Sequence, residues 1–253
     1  MSLKKSLVPA LVLTGLTLLV ATAVHAAVTE NFKQTYPLNA DGEIRVDNVN
    51  GSIEIVAWDK PEVALEAEKR AKNEEDLQRV HLKIDATATR FTVKTEYEKK
   101  SGWFGGNVDA SVHYKLMVPA GARLDKIDSV NSDITVTGVR GSVNLDTVNG
   151  RITATGLAAD ARLDTTNGSL SAEFASLDQV HTVKLDSTNG SAEVILPKGA
   201  SARIRTSTVN GHCRVEQPIK LSRTGRDLAG EIGSGGPEIS LDTVNGGIAV
   251  REK

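Results

Sequence analysis

Residues 143–154 read Val143-Asn144-Leu145-Asp146-Thr147-Val148-Asn149-Gly150-Arg151-Ile152-Thr153-Ala154, and six other segments repeat this phrase closely. The recurring Asn residues are Asn50, Asn131, Asn149, Asn167, Asn189, Asn210 and Asn245, spaced 81, 18, 18, 22, 21 and 35 residues apart. A unit recurring at about 20 residues is too short to fold alone, so it must bury its apolar face on its neighbours.

Aligned on the Asn, the chain falls into columns. Three places on stand Ile53, Ile134, Ile152, Leu170, Ala192, Cys213 and Ile248; five places on stand Ile55, Val136, Ala154, Ala172, Val194, Val215 and Val250. Polar residues such as Glu54, Thr135, Thr153 and Glu193 alternate with them, the period of a half-buried strand. Four places before the Asn stand Val46, Ile127, Leu145, Leu163, Leu185, Thr206 and Leu241, which marks a second strand. Each unit is therefore strand, Asn-Gly bend, strand and a second bend such as Gly138-Val-Arg-Gly141. Asn and Gly tolerate left-handed backbone, and that tolerance is the expected reason for the pair.

Two all-β arrangements satisfy the columns. In an antiparallel meander or roll, Asn-Gly would be a tight hairpin turn. In a parallel β-solenoid of 18–22-residue coils, it would be a corner whose equivalents stack about 4.8 Å apart. Matching columns favour the solenoid, because in-register stacking requires them and a coil encloses its own core.

Three places before the Asn runs an outward row, Asp47, Asp128, Asp146, Asp164, Asp186, Ser207 and Asp242. Stacked carboxylates invite a calcium reading. Two places earlier, however, lie Arg45, Lys126, Asn144, Arg162, Lys184, Arg205 and Ser240, mostly bases that offset the row, so the row is read as structural and no metal site is assigned.

The outer regions differ. Residues 1–26 read as a signal peptide: Lys4 and Lys5, an apolar run from Leu7 to Val24, and Val24-His25-Ala26 as a cleavage site. The expected exported chain has 28 basic and 32 acidic residues, and nothing in it after the signal is long and apolar enough to span a bilayer. Its acidic balance argues against nucleic acid. Cys213 is the single cysteine, so no internal disulfide forms. Residues 27–57 hold entry strands and the first repeat, 58–123 a β-rich insertion, and 124–253 the repeats proper. Within the insertion, Asn73-Glu-Glu-Asp76 before Leu77 predicts a short, capped helix. In Lys99-Lys-Ser-Gly-Trp-Phe-Gly-Gly106, Trp103 and Phe104 sit between glycines and are the candidate binding residues, either as a contact tip or as a cap on the core.

Catalytic patterns are absent from the sequence. His81, His113, His181 and His212 lack zinc spacing, and Cys213 falls in the inward column. Gly230-Glu-Ile-Gly-Ser-Gly-Gly236 lacks the strand-loop-helix context of a phosphate cradle, and no Gly-x-Ser-x-Gly elbow occurs. No catalytic residue, metal or cofactor is assigned.

The Asn-Gly phrases, the turns Val118-Pro-Ala-Gly-Ala122 and Leu196-Pro-Lys-Gly-Ala200, and the closing run from Gly233 to Gly246 resemble the bacterial putative-adhesin family of β-strand-repeat proteins. The resemblance spans about residues 40–250. It implies an exported, β-helix-like protein of the bacterial envelope, and the expected function is non-enzymatic binding or scaffolding of an envelope glycan or protein in the periplasm or at the cell surface. The alternatives are a polysaccharide-active β-helix enzyme and an envelope-stress accessory that binds a protein partner. The 35-residue gap before Asn245 leaves the register of the last repeat open.

Overall fold

A computed structural model describes residues 27–98, 108–223 and 227–253. Its described residues form nineteen strands and one short helix, an all-β protein. Entry strand β1 (Val28–Pro37) is followed by β2 (Glu43–Asp47), β3 (Ile53–Trp58), β4 (Glu62–Ala71), α1 (Glu74–Gln78), β5 (Val80–Ala86), β6 (Arg90–Tyr97) and β7 (Ala110–Pro119). The repeats contribute β8 (Arg123–Ser129), β9 (Ile134–Thr137), β10 (Val143–Asn149), β11 (Ile152–Asn167), β12 (Leu170–Asn189), β13 (Ala192–Leu196), β14 (Ala202–Asn210) and β15 (Cys213–Val215). The chain closes with β16 (Ile219–Arg223), β17 (Asp227–Ile232), β18 (Glu238–Asn245) and β19 (Ile248–Glu252).

Strands before each Asn form one parallel row, β6-β2-β8-β10-β11-β12-β18-β14. Strands after it form a second, β7-β3-β9-β11-β12-β13-β19-β15. Equivalent columns are in register: Leu145 faces Leu163, Leu163 faces Leu185, and Leu185 faces Leu241. No repeat bend is a hairpin, so the meander does not describe the repeats. The sheet as a whole is nevertheless mixed. Antiparallel pairings of β1 with β4 and β4 with β7, of β5 with β6, and of β17 with both β14 and β16 flank the rows. The repeats pair in parallel, and the complete sheet is mixed.

The inward columns meet in one core. Ile44, Ile53, Ile55, Ile127, Ile134, Leu145, Ile152, Leu163, Leu185, Val194 and Leu241 are all buried. Tyr114, Phe91 and Phe174 are its largest fully buried side chains. Helix α1 forms where the sequence predicts it, with the Asn73 side chain accepting from the Asp76 N–H at 2.8 Å, and Leu77 is buried.

Chain order and stacking order part at the C-terminus. Strand β18 lies between β12 and β14, and β19 between β13 and β15. The last repeat is therefore inserted one coil inward, and the gap before Asn245 holds the hairpin β16–β17, which pairs with the free edge of β14.

Candidate functional site

The Asn corner shows why its residues recur. From Asn131 on, each Asn side chain donates Nδ2–H to the Oδ1 of its neighbour in the stack: Asn131 to Asn50 (2.9 Å), Asn149 to Asn131 (2.8 Å), Asn167 to Asn149 (2.8 Å) and Asn189 to Asn167 (2.9 Å). The ladder continues from Asn245 to Asn189 and from Asn210 to Asn245, both at 2.8 Å, and so records the inserted last repeat. The expected role of the glycines needs correcting. Only Gly51 among the repeat glycines has a left-handed φ, and among the described residues no non-glycine residue has one. What excludes a side chain is the neighbouring coil: a Cβ on Gly150 would lie 1.9 Å from the Ser132 carbonyl oxygen, and one on Gly190 1.8 Å from that of Gly168.

A column absent from the sequence reading completes the corner. Two places before the Asn stand Asn48, Ser129, Thr147, Thr165, Ser187, Thr208 and Thr243, all buried. The hydroxyls of Thr165, Ser187, Thr243 and Thr208 donate to the carbonyls of Gly150, Gly168, Gly190 and Gly246 at 2.9 to 3.2 Å. A buried carbonyl left without a donor costs about 1–3 kcal/mol, so each hydroxyl stabilises the bend behind it. The signal was present as small hydroxyl-bearing or amide residues at an inward parity, where an aliphatic would be expected.

This frame holds an outward face of parallel rows. The acid row runs in space Asp47, Asp128, Asp146, Asp164, Asp186, Asp242 and Ser207. Lys126 pairs with Asp128 at 2.8 Å, Arg162 with Asp164 at 2.9 Å, and Lys184 with Asp186 at 2.9 Å. The base row is broken at Asn144 and Ser240. Asp146 faces no cation within ion-pair distance among the described residues, whereas Asp242 accepts from the Ser240 hydroxyl at 3.0 Å. Offsetting is therefore incomplete. Burial, reinforced by Asp128, raises the Asp146 carboxyl. Burial also pushes Asp164 up to about 6, with Arg162 opposing and Asp186 and Asp146 adding to the rise.

Beside the acids, one step nearer the corner, Val130, Val148, Val209 and Val244 are exposed, and Thr166 and Thr188 continue the strip. Acids and strip together line a groove of about 460 Å³ that includes Asp146, Asp164, Asp186, Asp242, Val209 and Val244. Its chemistry suits a ligand with cationic or hydroxyl groups along one edge and apolar atoms along the other.

Trp103 and Phe104 lie outside the described residues, as does the 1–26 segment. Cys213 occupies the inward column on β15 but is only half-buried, because β15 is the last strand of its row. The histidines are dispersed. His113 Nδ1 accepts the Ser52 N–H at 3.2 Å, His81 contacts Glu98 at 3.0 Å, and His181 lies 3.7 Å from Asp160. Among the described residues, no group of three His, Cys, Asp or Glu is placed to hold a metal ion. None of the described helices is long and apolar enough to cross a membrane.

Among solved structures, the chain is similar to a putative cell adhesion protein from Clostridium sporogenes, with TM-score 0.53 and 12% identity over 89% of this chain and 100% of that one. It is also similar to a putative adhesin from Bacteroides fragilis, with TM-score 0.41 and 12% identity over 88% of this chain and 97% of that one. No curated protein matches the chain. The Toastrack DUF4097 model matches residues 42–251, a span that holds all seven Asn corners, and the chain belongs to that family.

Proposed function

We propose that this is an exported, non-enzymatic binding or scaffold protein of the bacterial cell envelope, whose stacked repeats form the coils of a parallel β-solenoid and whose outward face makes the contact. One observation carries the reading: the Asn ladder and the buried hydroxyls hold a regular outward face in which acids are incompletely paired and a strip of valines is exposed. An exposed apolar strip beside charged rows is the composition of a contact surface, and a rigid one loses little conformational entropy on binding. The basic, apolar and small-residue order of residues 1–26 supports export. The similar Clostridium sporogenes protein is described as a putative cell adhesion protein, which accords with a binding role.

The test is capture from an envelope extract and from a peptidoglycan and glycan panel by the exported chain. Variants Val148→Asp with Val244→Asp, and separately Trp103→Ala with Phe104→Ala, are run alongside. Saturable capture lost by the valine variant at unchanged thermal stability supports the outward face, and loss in the aromatic variant moves the contact to that pair. Release of reducing sugar from a panel member would replace the reading with a polysaccharide-active enzyme.

A further inference from the structure

Trp58 stands apart from the other described aromatic residues. Phe32, Tyr36, Phe91, Tyr97, Tyr114 and Phe174 belong to the core or pack against it, and Trp58, the last residue of β3, does neither. Its half-buried indole is pinned at the strand end: Nε1–H donates to the Glu62 carbonyl at 2.9 Å across the turn Asp59-Lys60-Pro61. Lys60 Nζ rests 4.7 Å from the ring centroid. An exposed cation–π contact of this kind stabilises by about 0.5–1 kcal/mol, so the ring face is cheaply uncovered.

The ring opens on a groove of about 310 Å³ lined by Trp58, Asp59, Lys60, Pro119, Gly121 and Arg140. These residues come from the turns at the end of each coil's second strand, and their backbones are tied together. Ala120 N–H donates to the Trp58 carbonyl at 3.1 Å, and Arg140 N–H to that of Ala120 at 2.7 Å. A Cβ on Gly121 would come within 2.8 Å of the Ala40 carbonyl oxygen, so the floor is close-packed and preformed. Asp59 and Arg140 are both exposed, and among the described residues neither side chain makes an ion pair or hydrogen bond. Elsewhere on this surface most bases have an acid partner, Lys60 itself lying 3.6 Å from Glu62.

We propose that this groove binds a pyranose unit of an acidic glycan. A sugar ring offers a flat C–H face to an indole and a rim of hydroxyls to a carboxylate, and Trp58 with Asp59 supplies both complements. With Lys60 beside Glu62, Arg140 is the groove's cation without an acid partner among the described residues, and its planar guanidinium matches a sugar carboxylate in a two-pronged contact. This groove shares no lining residue with the acid-and-valine face, so it is a second contact site that rests on the binding reading above and goes beyond it by naming a ligand class.

The test is affinity electrophoresis of the full exported chain in gels containing polygalacturonate, with dextran as the neutral comparison. Polygalacturonate is expected to retard the protein despite its net negative charge. Trp58→Ala should weaken that retardation at least tenfold. Arg140→Gln, an exposed turn change with no effect on thermal stability, should weaken it about as much while leaving any dextran effect alone. Retardation unchanged in both variants would overturn the site while leaving a binding protein. Absence of retardation in the unaltered chain would overturn the ligand class, and envelope capture by the same chain then decides the broader reading separately.

Discussion

Gly168 carries no side chain because the Gly150 carbonyl oxygen stands 1.8 Å from where its Cβ would be. Backbone and not a movable side chain blocks the position, so Gly168→Ala should force the coils apart and cost about 3 kcal/mol in urea denaturation. Asn167→Ala removes two ladder bonds at an exposed edge, one donated to Asn149 and one accepted from Asn189, and should cost about 1–2 kcal/mol. Thr206 gives the opposite sign. It takes the place of Leu145 and Leu163 in the inward column, is fully buried, and its hydroxyl has no hydrogen-bond partner among the described residues. Thr206→Val keeps the shape and removes the unpaired group, so it should raise stability by about 1 kcal/mol in the same assay. The glycines were legible as a recurrence at six of the seven corners, Ser132 standing at the other. Their reason was not, because close approach involves a coil about 20 residues away.

Along the elements, the acid row couples stability to pH. Asp164 titrates near 6 in the folded chain, against about 4 for an ordinary aspartate, so the folded state holds its proton where the unfolded chain has lost it. Stability is then highest below about pH 4 as far as this group is concerned, and falls as pH rises through about 6. Raised Asp146 acts in the same direction. Asp164→Asn should flatten the decline between pH 4 and 7 in thermal melts, and a decline of unchanged steepness would show that another group carries it. The columns Asp164 and Arg162 are plain in the sequence, and their ion pair forms as expected. The incomplete offset depends on how far burial opposes Arg162, which column positions do not encode.

At the scale of the whole molecule, the inserted last repeat makes the C-terminus a structural keystone. Strands β18 and β19 separate the coil of β12 and β13 from that of β14 and β15, so deleting residues 237–253 removes an interior layer and not a terminal one. In a stack governed by nearest-neighbour contacts, a missing interior layer uncouples everything beyond it. The truncated chain should lose protection of β14 to β17 in hydrogen exchange, where a terminal-coil deletion would spare the remainder. The chain by itself determined the all-β class, the strand-bend-strand unit, the capped helix at Asn73 and the aliphatic inward columns, and it favoured parallel stacking over a meander without deciding it. Those follow from periodicity and residue chemistry within one repeat, which are local properties. Tertiary structure alone decided that Asn245 stacks between Asn189 and Asn210, that antiparallel hairpins close the flanks, and that Trp58 is held outside the core beside Asp59 and Arg140. The near-identical repeats are interchangeable as neighbours on column chemistry alone, so their order is settled by the hairpin β16–β17, which holds the edge of β14 and returns the chain one coil inward.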